Sequence, residues 1–173
     1  IDAMLNGKPF LLQPMEGSSV FINQPDYFEI PEDVIVIGME NAENFMQIRS
    51  QRWLFDALFP GGKFLFVCRY PQENLENLRS WLLRIPNRYV HFGDFDLAGV
   101  HIYLSEIYAH LGNRSSFLLP SDIEERLAEG NAVLYNQQYA RFRNMAVTDF
   151  RLQPLVDMIH HYRRGYEQEG YIK

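Results

Sequence analysis

From Val34 onward, short continuous runs of β-branched and aromatic residues alternate with longer segments of helical period. That alternation restricts the chain to an α/β fold with a mainly parallel sheet. The first run, Val34-Ile35-Val36-Ile37, is apolar throughout, as a strand covered on both faces requires. Further strands are predicted at Phe64 to Val67, Tyr89 to Phe92 and Phe117 to Leu119, about four in all. Between them, Phe45, Ile48, Arg52 and Phe55 mark one helix face, and Pro60-Gly61-Gly62 stops that helix. Leu75, Leu78, Leu82 and Ile85 mark a second helix, ended by Pro86. Val100, Tyr103, Leu104, Ile107 and Leu111 mark a third, with Gly112 as its stop. Ser121-Asp122-Ile123-Glu124 has the pattern of a capping box, and Leu152, Leu155, Val156, Ile159 and Tyr162 form the face of a late helix that Gly165 would terminate.

The first 30 residues read differently. Pro9 to Leu12 and Val20 to Asn23, separated by the turn-forming Glu16-Gly17-Ser18-Ser19, predict a β-hairpin. The expected organisation is therefore a hairpin element over residues 1–30, at the edge of an upstream domain, and one α/β domain over residues 31–173. The chain starts at Ile1, and Ile1 to Lys8 reads as the tail of a preceding segment, so a fragment of a longer protein is expected. With 173 residues and 47% hydrophobic content, one substantial core is affordable but two are not. No stretch approaches the roughly 20 apolar residues of a membrane span, and no signal-peptide pattern opens the chain, so a soluble cytoplasmic protein without membrane contact is expected. The single Cys68 lies inside an apolar run, which excludes a disulfide framework and a thiolate metal cluster.

In a parallel α/β sheet, function gathers beyond the carboxyl ends of the strands. Glu40 directly follows the first strand, in Gly38-Met39-Glu40-Asn41, and Asp94 and Asp96 directly follow the third, in Gly93-Asp94-Phe95-Asp96-Leu97-Ala98-Gly99. Two-residue spacing in extended chain turns Asp94 and Asp96 to one side and Phe95 into the core. If the two strands are neighbours, about 4.8 Å apart, Glu40 converges on the same point. Three carboxylates in a small volume repel unless a cation sits among them, and an all-oxygen set suits Mg²⁺ or Mn²⁺. Singly, Asp96 would be read as an N-cap and Glu40 as a helix-dipole acid; Asp94 has no such explanation. Gly93 is expected to permit close backbone approach, and Gly99 to let the following helix pack on the sheet.

These residues resemble a known family. A glutamate closing the first strand and an Asp-x-Asp closing a later one look like the Toprim fold of topoisomerases, primases and overcoming-lysogenization-defect nucleases. Glu40-Asn41-Ala42-Glu43-Asn44-Phe45 resembles the E-N-x-x-x-F motif of the C-terminal Toprim domain in the Wadjet plasmid-defence nuclease subunit (JetD type). His91-Phe92-Gly93-Asp94-Phe95-Asp96-Leu97-Ala98-Gly99-Val100-His101-Ile102 resembles its G-D-x-D-x-x-G-x-x-I, and Glu167-Gln168-Glu169 its late E-Q-E. Arg69-Tyr70-Pro71-Gln72-Glu73-Asn74 stands where that family has a glycine-containing loop. The resemblance implies a Toprim domain cleaving DNA phosphodiester bonds with Mg²⁺ or Mn²⁺, in plasmid or phage defence. Its partners would be DNA, subunits of an SMC-like motor complex and the upstream domain of the same chain. Glu40, Asp94 and Asp96 would be the catalytic metal ligands, Glu167 or Glu169 would complete a second metal position, and Lys63, Arg69 or an arginine near the C-terminus would neutralise a phosphate.

A formal charge of −6 argues against a self-sufficient DNA-binding surface. Basic charge is concentrated in Arg141-Phe142-Arg143 and His160-His161-Tyr162-Arg163-Arg164, segments that read equally as solvated helix faces. His91 and His101 flank the acidic motif and are expected in the core or behind the ligands. Pro60-Gly61-Gly62-Lys63 lacks the spacing of a phosphate loop, and no Gly-x-Ser-x-Gly elbow occurs. Two alternatives remain: Toprim chemistry of the topoisomerase or primase type, and a noncatalytic Toprim-fold interaction module.

Overall fold

The computed structural model describes residues 1–15, 17–69 and 75–173. Glu16, placed in the predicted hairpin turn, and Tyr70 to Asn74, most of the atypical loop, lie outside the described residues.

The continuous apolar runs form a four-stranded parallel sheet of β4 (Val34–Met39), β5 (Lys63–Cys68), β6 (Tyr89–Phe92) and β7 (Ser115–Phe117), in spatial order β5-β4-β6-β7. Both faces are covered, as the absence of polar alternation requires. On one face Phe55, from α2 (Ile48–Leu58), packs edge-on against Phe66 and Phe92 at ring distances of 5.0 and 5.7 Å. On the other, His91 lies 5.7 Å from the ring of Tyr103 and 5.5 Å from that of Phe117. Tyr103 opens a π-helical stretch, Tyr103–Tyr108, inside the helix that starts as α4 (Leu97–Ile102) and ends as α5 (Ala109–Leu111) at Gly112. The fourth strand is two residues earlier than the sequence pattern predicts, because Ser115, though polar, pairs with Tyr89 and is buried.

The chain leaves β4, pairs β5 on one side, then crosses to place β6 on the other. The order of strands therefore reverses between β4 and β6, the position at which open α/β sheets place function beyond the carboxyl ends of their strands.

The N-terminal antiparallel hairpin is present, but its strands differ from those predicted. The paired strands are β1 (Asp2–Leu5) and β2 (Lys8–Leu11), joined through Asn6-Gly7 with φ of 53° and 70°. Asn-Gly with both residues left-handed is the favoured two-residue hairpin turn, and this local signal outweighs the apolar run at Val20 to Asn23, which forms no strand. β1 also pairs β3 (Phe28–Glu29), and Phe28 stacks at 5.5 Å on Trp81 of α3 (Leu75–Arg84), whose Nε1 donates to the Phe28 carbonyl at 2.8 Å.

Two predicted helix ends also differ. The helix α6 (Ile123–Ala128) starts after Asp122 without a side-chain cap, because that carboxylate is held by Arg126 and Tyr171. The late helix, here α8 (Gln153–Tyr162), ends on Arg163 in the left-handed region at φ 54° rather than at Gly165. Between them lies α7 (Ala132–Phe142), capped by Asn131. Among the described residues, no helix is long and apolar enough to cross a membrane.

Candidate functional site

Glu40 leaves β4 with its backbone N–H donating to the Phe92 carbonyl at 3.1 Å, which sets it beside the start of the Gly93-Asp94-Phe95-Asp96 loop. Phe95 turns inward and is fully buried, as its two acidic neighbours require. Its backbone exchanges hydrogen bonds of 2.8 and 3.0 Å with Tyr166. This bridge lays the C-terminal segment along the acidic loop. The Gln168 N–H then donates to Asp94 Oδ1 at 2.9 Å, and the Asn41 side-chain amide donates to Glu169 Oε1. Asn41 also caps α1 (Ala42–Met46) by accepting from the N–H groups of Glu43 and Asn44, so one side chain ties the start of a helix to a residue 128 positions later. Behind it, Asn44 donates to Gln51 at 2.6 Å and to the Gln168 carbonyl at 3.0 Å, fixing the same strap from a buried position.

The electrostatics follow. Burial pushes the Asp94 carboxyl up to about 7; the Gln168 N–H opposes this, while the charges of Asp96, Glu169 and Glu40 add to it. Asp96 is raised by burial too, against hydrogen bonds from Gly99 and Gln138. Burial also acts to raise Glu40, but the hydrogen bond from His91 and the charge of Arg69 outweigh it and hold the carboxyl below its ordinary value. Burial keeps His91 neutral by lowering its pKa, so Nε2–H donates to Glu40 Oε2 at 3.1 Å and Nδ1 is left buried without a partner among the described residues.

Of the predicted ligands, Glu40, Asp94, Asp96 and Glu169 therefore come together, from three separate stretches of chain. Glu167 does not join them: its side chain is exposed and contributes nothing to the Asp94 environment. Asp96 combines two duties. Its Oδ1 accepts from Gly99 N at 2.7 Å as the N-cap of α4, and its Oδ2 accepts from Gln138 of α7 at 3.0 Å. Glu169 Oε2 is buried and has no partner among the described residues. Also among the described residues, no group of three or more His, Cys, Asp and Glu side chains is arranged to hold a metal ion.

Lys63 is corrected. It opens β5, at the amino end of the sheet, and pairs with exposed Asp33 at 2.6 Å, far from the carboxyl ends where the acids stand. Arg69, just past the opposite end of β5, is next to the site: its N–H donates to the Met39 carbonyl at 2.9 Å, and its Nη2 to Glu106 at 2.6 Å. Of the arginines near the C-terminus, Arg164 donates to the Gly130 carbonyl at 2.7 Å. Sequence reasoning did not find Asn41, Gln138 or Gln168 as supports of the acids. Nothing in a lone amide reports a partner tens of residues away.

Gly38 in β4 and Gly93 just past β6 make room for this layer. A Cβ on Gly93 would meet Glu40 Oε2 at 2.5 Å and His91 Nε2 at 2.7 Å, and one on Gly38 would collide with the phenol of Tyr89. Gly99 packs against the Asp94 backbone, so it closes the acidic loop onto α4 rather than seating the helix on the sheet. Gly38→Ala is expected to cost about 3 kcal/mol of stability in urea unfolding, the upper range for overpacking. Trimming the neighbour in a Gly38→Ala, Tyr89→Leu double variant should recover a large part of it. A cost under about 0.5 kcal/mol for the single change would show that Tyr89 does not lie across Gly38.

In comparisons with known proteins, the family model described as "Domain of unknown function (DUF7281)" matches residues 4–173. No curated protein and no solved structure matches the chain.

Proposed function

The chain belongs to the DUF7281 family, and from the chemistry of its acidic edge we propose that it is a Toprim-type, divalent-metal-dependent nuclease domain that cleaves DNA phosphodiester bonds. One observation carries this reading: Glu40, Asp94, Asp96 and Glu169 converge at the point where strand order reverses, and burial, with a smaller addition from the neighbouring charges, raises Asp94 to about 7. Such a cluster is costly to keep without a cation. The Toprim assignment is supported by Glu40 ending the first strand of the parallel sheet and the Asp-x-Asp motif ending its neighbour.

The donors are hard oxygens, which suit Mg²⁺ or Mn²⁺. Glu40, Asp94 and Glu169 would hold the ion. Asp96 would join them directly or through water, since Mg²⁺ usually keeps several waters. A bound ion of this kind activates water and stabilises charge on the phosphoryl oxygens. The chain's own part is positioning: His91 orients Glu40, Asn41 orients Glu169, and the Gln168 N–H holds Asp94. With a net charge of −6, the grip on DNA would come from an upstream domain or from SMC-like motor subunits, in keeping with plasmid or phage defence. Topoisomerase- or primase-type chemistry would use the same ion with a different partner domain.

A second reading has its own support. Asp96 caps α4 and accepts from Gln138, Glu40 is paired with His91, and no ready metal group stands among the described residues, as in a noncatalytic interaction module. Cation-dependent melting separates the two. Mn²⁺ or Mg²⁺ at a hundredfold excess over Kd should stabilise the fold by about 2.7 kcal/mol, a rise of roughly 5–10 °C. A flat response at millimolar cation, or a shift that survives Asp94→Ala, would favour the noncatalytic module.

A further inference from the structure

The two basic stretches of the sequence, which the acidic edge does not use, meet on one surface. Between Glu129 and Asp149 the sequence carries no acid, and none stands between Asp157 and Glu167, in a chain of net charge −6. The first stretch holds α7 with Arg141 and, at its end, Arg143; the second holds the last turn of α8 with His160, then Arg163. A seam joins the two helices. The Tyr135 hydroxyl is 2.9 Å from His160 Nδ1, and the His160 ring lies 5.8 Å from that of Tyr135 and 6.3 Å from that of Tyr139. The helices run in opposite directions, since Gly165, past the end of α8, bridges to Asn131 at the start of α7.

The arginines stand around this seam. Burial and Tyr139 raise the pKa of the Tyr135 hydroxyl and the charge of Arg163 opposes them, which sets that guanidinium near the start of α7. Arg143 follows the exposed Tyr139 by four residues and so extends the same side of the helix. Arg141 lies three residues past Gln138, the donor to Asp96, and so stands on the flank that faces the acids. All three arginines are exposed. Other exposed arginines are held by carboxylates, Arg52 by Asp56 and Arg84 by Asp26, whereas these three pair with none among the described residues. The acids nearest the seam are engaged, Asp157 by Gln153 and Glu124 by the Tyr162 hydroxyl. Clustered, exposed guanidinium groups in acid-free segments create a local positive potential despite the net negative charge. That potential begins at the acidic edge: a Cβ on Gly165 would meet both Asp96 and Leu134, so α7 leaves directly from it. The 11 residues of α7 then span about 16 Å, roughly five base-pair steps of a duplex.

We propose that the outer face of α7 and the end of α8 hold the phosphate backbone of duplex DNA beside the acidic edge, through Arg141, Arg143 and Arg163. The positive surface follows from the residues; the choice of DNA as the polyanion rests on the nuclease reading above. Guanidinium groups donate to phosphate oxygens, and such contacts fix the register of a duplex without reading its sequence. The main grip stays with the upstream domain or motor subunits, and this face aligns the strand over the acids.

Fluorescence anisotropy of a labelled duplex of about 20 base pairs tests this, with the full-length protein, in EDTA, from about 50 to 200 mM salt. Arg141→Gln, Arg143→Gln and Arg163→Gln together should weaken binding by about tenfold or more at the low-salt end. They should also flatten the slope of log affinity against log salt by about 2–3, and each single change by about 0.9, one phosphate contact apiece. Removing three cations elsewhere, with Lys8→Gln, Arg52→Gln and Arg84→Gln, should leave the slope unchanged and affinity within about threefold. All six side chains are exposed, so circular dichroism should show both proteins folded. An unchanged slope in the first triple variant, an equal loss in the second, or no binding of the duplex would overturn the proposal. So would polyglutamate competing as well as duplex per charge, which would assign the face to an acidic protein partner. The assay needs neither divalent cation nor cleavage. Plasmid cutting with an unchanged slope would keep the nuclease reading and sink this face, whereas a flattened slope in a protein that does not cut would keep the face and sink the nuclease reading.

Discussion

Asp94→Ala and Glu40→Gln, made in the full-length protein, are expected to reduce plasmid cleavage in Mg²⁺ or Mn²⁺ by about 100-fold or more, equivalent to at least roughly 2.7 kcal/mol of barrier. Glu→Gln preserves shape and removes the charge that holds the cation, so loss of cleavage with an intact fold reports ligation rather than packing. The structure sharpens this expectation at the C-terminal pair. Glu169→Gln should fall nearly as far, because Asn41 aims that carboxylate at the cluster and its charge is felt at Asp94. Glu167→Gln should stay within about threefold of wild type, its exposed side chain being outside the cluster. Agarose-gel nicking and linearisation, with circular dichroism to check folding, decide the matter. Wild-type cutting by Asp94→Ala, in a preparation freed of contaminating nuclease, would leave the noncatalytic module as the better reading.

Without divalent cation, Asp94→Asn is expected to be more stable than wild type at pH 8 by about 2–4 kcal/mol, and nearly equal to it at pH 4. The sign follows from the raised pKa. Asp94 titrates near 7 in the folded chain and near 3.8 unfolded, so its favourable contribution is complete below pH 4 and is lost as pH rises through 7. Comparing the variant with wild type cancels the opposite trends of His91 and Glu40, whose folded values are depressed and whose contributions are lost on acidification. The amide can still accept from the Gln168 N–H, so the change removes charge without removing that bond. Millimolar Mg²⁺ should close the gap at pH 8 by stabilising wild type alone. Urea titrations at half-unit pH steps measure it, and a difference that does not grow between pH 4 and pH 8 would show that Asp94 is not held protonated by its surroundings.

The sequence by itself determined where the parallel strands run and where they stop. A strand covered on both faces must be apolar along its length, so Val34 to Ile37, Phe64 to Val67 and Tyr89 to Phe92 announce themselves within β4, β5 and β6, and with them the carboxyl ends near which Glu40, Asp94 and Asp96 stand. Period two alone turned Phe95 inward between its acids. The Asn6-Gly7 turn is equally local and sets the β1–β2 pair, whereas the apolar run at Val20 to Asn23 forms none.

The tertiary structure decided which of these ends meet. Setting β6 rather than β5 on the acidic side of β4 puts Glu40 against Asp94, and pairing Phe95 with Tyr166 brings Glu169, but not Glu167, into the cluster. It also divided Asp96 between capping and the site, through Gln138 on a helix whose sequence carries no sign of that contact. It buried Arg69 against Glu106, with Nε and Nη1 lacking an acceptor among the described residues. Periodicity encodes burial one segment at a time, whereas these contacts join residues 37 to 128 positions apart through single hydrogen bonds that leave no repeating trace in the chain.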